Sequence, residues 1–403
     1  MTERLKLLPK QLAYFLLKNC LGIPKLLYTL RTVPTFLCQD KLCDMDSILH
    51  LSLKAILNLN LSDLQWKQAS LPVKQGGIGI RSFSDLSLPT FLSSCSGVMP
   101  LVSTILNKPV DNVVLNSWTQ GVQMWEMKYQ EMPEEKTQQR QWDAIILKLK
   151  IEQEVVFEDP VDVARMKALQ NKESGAWLNV YPSKNIGTLL NDQSFQICIG
   201  QRLGCNICRK FTCKCGRTVD EKGLHPLSCE KSSGRYFRHA EVNNILKRAL
   251  GSIDIPAQLE PTGLDRNDGK RPDGATIVPW RMGQSLVWDF TCADTLAPSY
   301  INKTCRNAGA AAEIAVQKKH TKYSAIKSRG IGFVVMAVET MGVWCKEGKD
   351  WIREIGKRLI EKTGDPRSMN HLREKISLTI QRGNAASVLA VLPSEELGSM
   401  FYL

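Results

Sequence analysis

Two aspartates interrupt the strand-like run RPDGATIVPWRMGQSLVWDFT at residues 271–291, and this stretch constrains the fold more than any other. Thr276, Ile277 and Val278 carry β-branched chemistry in a first run. Leu286, Val287, Trp288 and Phe290 make a second, and Arg281, Met282, Gly283 and Gln284 supply a turn between them. Asp273 opens the first strand and Asp289 sits inside the second. Aspartate is a poor strand former, and burying it unpaired costs several kcal/mol or drives its pKa upward. Two carboxylates brought together across a hairpin repel one another unless a cation lies between them. A hard divalent ion such as Mg²⁺, which takes oxygen ligands, is one answer. An ion pair with Arg271 or Arg281 is the other.

The flanking sequence supplies the partners for such a hairpin. Val242, Ile245, Leu246 and Leu250 recur at helical spacing over residues 239–250, and 254–260 reads as a short strand. Residues 303–327 form an alanine-rich helical stretch, and GFVVMAVE at 332–339 is a buried strand. The resulting order is helix, three strands, helix, strand. Lys319 falls in register with Ala308, Ala312, Ala315 and Ile326, on the face that should pack against the sheet. A lysine there either meets a carboxylate in an active site or snorkels from the helix edge.

Five of the thirteen cysteines fall within residues 205–229, as Cys205-x2-Cys208-x4-Cys213-x-Cys215-Gly216 followed by His225-x3-Cys229. Thiolates and imidazole at these spacings suit a tetrahedral structural zinc. His225 and Cys229 are the expected core of the site. Cys208 and Cys215 complete the first choice, with Cys205 and Cys213 as alternates; a small core of reduced thiols is the competing reading. A basic run surrounds the motif, including Lys210, Lys214, Arg235 and Arg238, with Phe211, Tyr236 and Phe237 interleaved. Together with a formal charge of +13, this points to a polyanionic partner. A nucleic acid, DNA or RNA, is the expected partner, contacted by Arg235, Arg238, Arg271, Lys210 and Lys214. No run of eighteen or more uninterrupted apolar residues predicts a membrane span, and the first residues lack a signal-peptide core. A nuclear or cytoplasmic, unsecreted protein is expected.

Residues 1–125 read as mainly helical and 126–198 as a further helical layer. QGGIGI at 75–80 lacks the spacing of a phosphate-binding loop and reads as a tight turn.

The αβββαβ order, with Arg271-Pro272-Asp273, Asp289 and a nearby lysine, resembles the restriction-endonuclease-like fold. More narrowly, Arg238-His239 with Asn243, then Asp273, Asp289 and Lys319-x-x-Lys322-Tyr323, resemble the endonuclease domain of site-specific non-LTR (LINE-like) retrotransposon proteins. NCLGIPKLLYTLRTVP at 19–34 and LPVKQGGIGI at 71–80 resemble the thumb-like helical region that follows the palm in those reverse transcriptases. The palm itself, with its metal-binding Asp-Asp pair, is missing, so no polymerase activity is expected.

The resemblance implies an α+β chain with a mainly helical N-terminal half. Its segments are a thumb-like region at 1–125, a linker layer at 126–198, a zinc knuckle at 199–235 and a restriction-endonuclease-like domain with C-terminal helices at 236–403. It implies a Mg²⁺- or Mn²⁺-dependent DNA endonuclease that nicks its target. Asp273 and Asp289 would hold the metal, with Glu260 completing its shell. Lys319, with Lys322 as the alternative, would act on the attacking water. His239 would be a general base or a phosphate contact. Where the fold usually carries Asp-x-Lys this chain has Asp289-Phe290-Thr291, so the lysine must come from the helix. A zinc-stabilised nucleic-acid-binding remnant without catalysis is the alternative.

Overall fold

The computed structural model describes residues 2–107, 112–264 and 271–393. It is an α+β chain that divides into two compact units, Met1–Pro72 with Gly77–Val156 and Val73–Gly76 with Phe157–Leu403.

The first unit is helical among the described residues. Its aromatic core gathers Phe36, Phe91, Trp125 and Trp142, and the two indoles meet edge to face with centroids 4.7 Å apart. Each buried indole N–H donates to a carbonyl, Trp125 to Glu131 and Trp142 to Lys136, both at 2.8 Å. This packing corrects the expected boundary. The helix carrying Trp142 joins the first unit, and the expected 126–198 layer divides at Val156. Helix Phe83–Leu106 is long and apolar enough to cross a membrane by length and composition. Its residues from Leu86 to Ser93 are buried in the unit, which accounts for their apolar character.

The second unit is built on a four-stranded sheet. The sheet and the main helices packed on it are α1 (Gly234–Gly251), β1 (Ala257–Leu259), β2 (Gly274–Thr276), β3 (Leu286–Ala293), α2 (Ala310–Lys322), β4 (Gly332–Glu339), α3 (Lys346–Thr363) and α4 (Ser368–Leu389). The spatial order is β1-β2-β3-β4; the first three strands pair antiparallel, and β4 runs parallel to β3. Strand alternation divides the side chains between two layers. Leu286, Trp288 and Phe290 face one core with α1, α3 and α4. Val287 faces the other, with Ala312 and Val316 of α2. Asp289 shares the parity of Val287 and therefore looks toward α2. Burial on both faces explains why β3 and β4 read as near-continuous apolar runs.

Three expected elements are redrawn. The strand at 254–260 contracts to β1, between Asp254 and Glu260, which hold positive φ of 58° and 47°. The helix expected over 303–327 is three pieces, Ile301–Thr304, α2 and Ser324–Ser328. The start of α2 is set by β4, because the buried Glu339 carboxylate accepts the amides of Ala311 and Ala312 at 2.9 and 3.3 Å. A carboxylate at a helix N-terminus satisfies orphan amides and complements the dipole. The knuckle, finally, lies in the same compact unit as the sheet and is no separate domain.

Candidate active site and metal centre

Asp273 and Asp289 meet across the β2–β3 hairpin. Gly274 pairs with Trp288, and the Asp273 amide donates to the Trp288 carbonyl at 3.1 Å, so continuing the register sets Asp273 opposite Asp289. Gly274 is required beside them: a Cβ there would lie 2.1 Å from a Trp288 ring carbon. Each carboxylate has a basic side chain beside it. Lys319 Nζ lies 2.5 Å from Asp289 Oδ1, and His239 Nε2 lies 3.0 Å from Asp273 Oδ2. Asp273 Oδ2 also accepts the Phe290 amide at 2.6 Å. Tyr323, just past the end of α2, donates to the Arg271 carbonyl at 2.9 Å, and its hydroxyl also favours the charged form of Asp289.

The electrostatics follow from this quartet. Asp289 is 1% exposed. Burial and then the Asp273 charge raise its pKa above the ordinary carboxylate value, against the opposing pull of Lys319 and Tyr323. Burial pulls the His239 imidazole down. The hydrogen bond and charge of Asp273 outweigh it, so its pKa lies above the ordinary histidine value. Behind His239, Asn243 Nδ2 approaches its Nδ1 at 3.4 Å, while Asn243 Oδ1 accepts the Trp288 indole N–H at 3.0 Å.

A cleft of about 300 Å³ opens over this quartet, lined by Arg235, Tyr236, Arg238, His239, Phe290 and Lys319 among others. Arg235 and Arg271 are exposed, and so are Lys210 and Lys214 of the knuckle. Arg238 departs from the expected surface contact. It is 2% exposed, and its Nη1 donates to Asn384 Oδ1 at 2.5 Å. The close approach of Gly383 to its stem shows why: the α1–α4 contact is built around this side chain. Glu260 is exposed at the end of β1, and its amide donates to the Asp273 carbonyl at 2.9 Å. Lys322 Nζ lies 4.6 Å from the Tyr323 ring centroid. The lysine placed on the carboxylates is Lys319.

Cys213, Cys215, His225 and Cys229 bring their ligand atoms within 4.8 Å of one another. Among the described residues this is the group of three or more such side chains that converges. Cys213 and Cys229 sulfurs are 3.7 Å apart, and Cys215 Sγ lies 3.1 Å from His225 Nε2. A tetrahedron with Zn–S bonds near 2.3 Å has edges of about 3.8 Å, so the four donors fit a zinc ion. Strands Phe211–Thr212 and Thr218–Val219 form the ribbon that presents Cys213 and Cys215, and Gly216 makes its turn at φ +85°. Burial and the neighbouring Arg217 charge hold His225 below the usual histidine value, which favours the neutral, ligating imidazole. The expected Cys208 is corrected to Cys213. The Cys208 thiol instead donates to the Asp220 carbonyl at 3.3 Å, and Cys205 is fully buried beside the Arg165 charge.

The chain matches no known protein-family model and no curated protein sequence.

The cleft wall formed by Thr291 and Cys292 was not singled out in the sequence, and Asn243 was named there only within the motif with His239. The four-residue interval between His239 and Asn243, one helical turn, is the signal that joins them.

Proposed function

We propose that the second unit is a metal-dependent DNA endonuclease with a restriction-endonuclease-like core. The observation that carries this reading is the pairing of Asp273 with Asp289 across two strands, with Lys319 on Asp289 and His239 on Asp273 both lining a cleft that also carries Arg235. The resemblance of the Asp273, Asp289 and Lys319 motifs to those of the non-LTR retrotransposon endonucleases supports the same reading. Asp273 and Asp289 would hold a Mg²⁺ or Mn²⁺ ion, which when bound supplies a water of lowered pKa and positive charge at the phosphoryl oxygens. Lys319, already pointed at Asp289, would orient an attacking water and add charge where the transition state is most negative. Arg235 draws the phosphate into the cleft. His239, within hydrogen-bond distance of Asp273 through Nε2 and lining the cleft, would act as a general base or contact the phosphate. The zinc knuckle stabilises a segment too small for its own core and extends the basic surface through Lys210 and Lys214. Such an enzyme works on DNA in the nucleus or cytoplasm.

A second reading is favoured by one specific observation. Both carboxylates already have basic protein partners without a metal, the His239 imidazole on Asp273 and the Lys319 ammonium on Asp289. A non-catalytic, zinc-stabilised nucleic-acid-binding protein would keep such a closed network. Incubating supercoiled plasmid with the full chain and Mg²⁺ or Mn²⁺ separates the two. Nicking that Asp273→Ala eliminates supports the enzyme; no nicking by wild type leaves the binding protein.

A further inference from the structure

Depth is the constraint on what this cleft can accept. Asp289 is 1% exposed, and the side chains that touch the two aspartates, His239 and Lys319, are themselves walls of the cleft. Lys319 and His239 cover the two aspartates, so a phosphate approaching them comes through the cleft that these side chains line. The volume, about 300 Å³, is at the small end of ligand sites and matches a single nucleotide, not a duplex.

At the lip stands an aromatic ring. Tyr236, in the first turn of α1, lines the cleft and is 75% exposed, and the adjacent Phe237 is 42% exposed. Arg235 beside it supplies charge for the backbone. A ring at the mouth of a positively charged groove is the arrangement by which proteins stack unpaired bases without reading their sequence. Extruding a base costs a few kcal/mol from a paired helix and least where the base is already unpaired.

We propose that Tyr236 is a stacking platform for an unpaired base, and that the cleft selects DNA whose nucleotide next to the scissile phosphate lies outside the duplex. This rests on the endonuclease reading for its cleavage consequence but not for its binding consequence. Tyr236 makes no contact with the reacting atoms; it determines which DNA presents a phosphate to them.

The test uses the full zinc-bound chain and two duplexes of one sequence, one fully paired and one with a single 2-aminopurine bulge. Wild type with Mg²⁺ should cut beside the bulge roughly ten-fold faster than the paired duplex. Tyr236→Ala should lose that preference, and Tyr236→Phe and Tyr236→Trp should retain it. In parallel, binding of Asp289→Asn to the bulged duplex should quench 2-aminopurine fluorescence, and the double variant with Tyr236→Ala should not. Equal cutting of both duplexes without quenching, or a preference that Tyr236→Ala leaves intact, overturns the platform. If wild type cuts neither duplex yet quenching depends on Tyr236, the endonuclease reading fails and the platform stands.

Discussion

Lys319 Nζ sits 2.5 Å from Asp289 Oδ1, joining the far end of α2 to the middle of β3. The carboxylate is almost wholly buried and the ammonium only partly exposed, so each is the other's main compensation. Removing one member of such a pair leaves an uncompensated buried charge, at a cost of about 3 kcal/mol. Lys319→Ala should therefore unfold at lower denaturant than wild type in metal-free buffer. If the aspartates hold a divalent ion, Mg²⁺ should restore more stability to this variant than to wild type. Chemical denaturation with and without Mg²⁺ measures both; a variant as stable as wild type would contradict the pair's role.

The zinc site makes a sharper statement than the spacing did. Cys213→Ser should lower zinc content well below one ion per chain, while Cys208→Ser should leave it near one. Elemental analysis of the two purified variants decides it. Loss of zinc from Cys208→Ser alone would mean that the ribbon does not present the ligands.

Two arginines expected to act alike should behave differently. Arg235 is exposed at the cleft, so Arg235→Glu should weaken DNA binding and reduce its salt dependence while leaving stability near wild type. Arg238 is buried against Asn384, so Arg238→Ala should cost stability, about 3 kcal/mol, through lost packing and lost hydrogen bonding. Salt-dependent binding and thermal unfolding of both variants check this; equal stability of the two would contradict the burial.

Much of this site was legible because aspartates within apolar strands conflict with local propensity, and such conflicts mark function. Asp273, Asp289 and Lys319 were each placed by that logic and by helical register. Arg238 was misread because a charge count cannot tell a buried guanidinium from an exposed one. Its burial depends on Gly383, 145 residues further along the chain. Cys208 was misread for a related reason. Short spacing offers six candidate zinc ligands, and only the pairing of Phe211–Thr212 with Thr218–Val219 selects Cys213. The break at the start of α2 likewise depends on Glu339, from a strand that comes later in the sequence.

Glu339 gives the fold a pH dependence of known sign. Burial raises its carboxyl pKa in the folded chain, although the Ala311 and Ala312 amides oppose this. A raised folded pKa means tighter proton binding in the folded state. Its stabilising effect is present below the unfolded value near 4.5 and is lost as pH rises through the folded value. Glu339→Gln removes that titration. The stability difference between Glu339→Gln and wild type should shift in the variant's favour as pH rises from below 4.5 toward neutrality. Urea unfolding of both proteins across that range measures it, and a difference independent of pH would contradict the assignment.

The central claim is that Asp273, Asp289 and Lys319 form one cutting unit, and single-turnover nicking of supercoiled plasmid in Mg²⁺ tests it most directly. Asp273→Asn, Asp289→Asn and Lys319→Ala should each reduce the nicking rate by a factor of about 100 or more, since each removes a group acting on the transition state. Zinc content and DNA affinity of the two asparagine variants should stay near wild type. Nicking by Asp289→Asn at the wild-type rate, or no nicking by the wild type, would contradict the account.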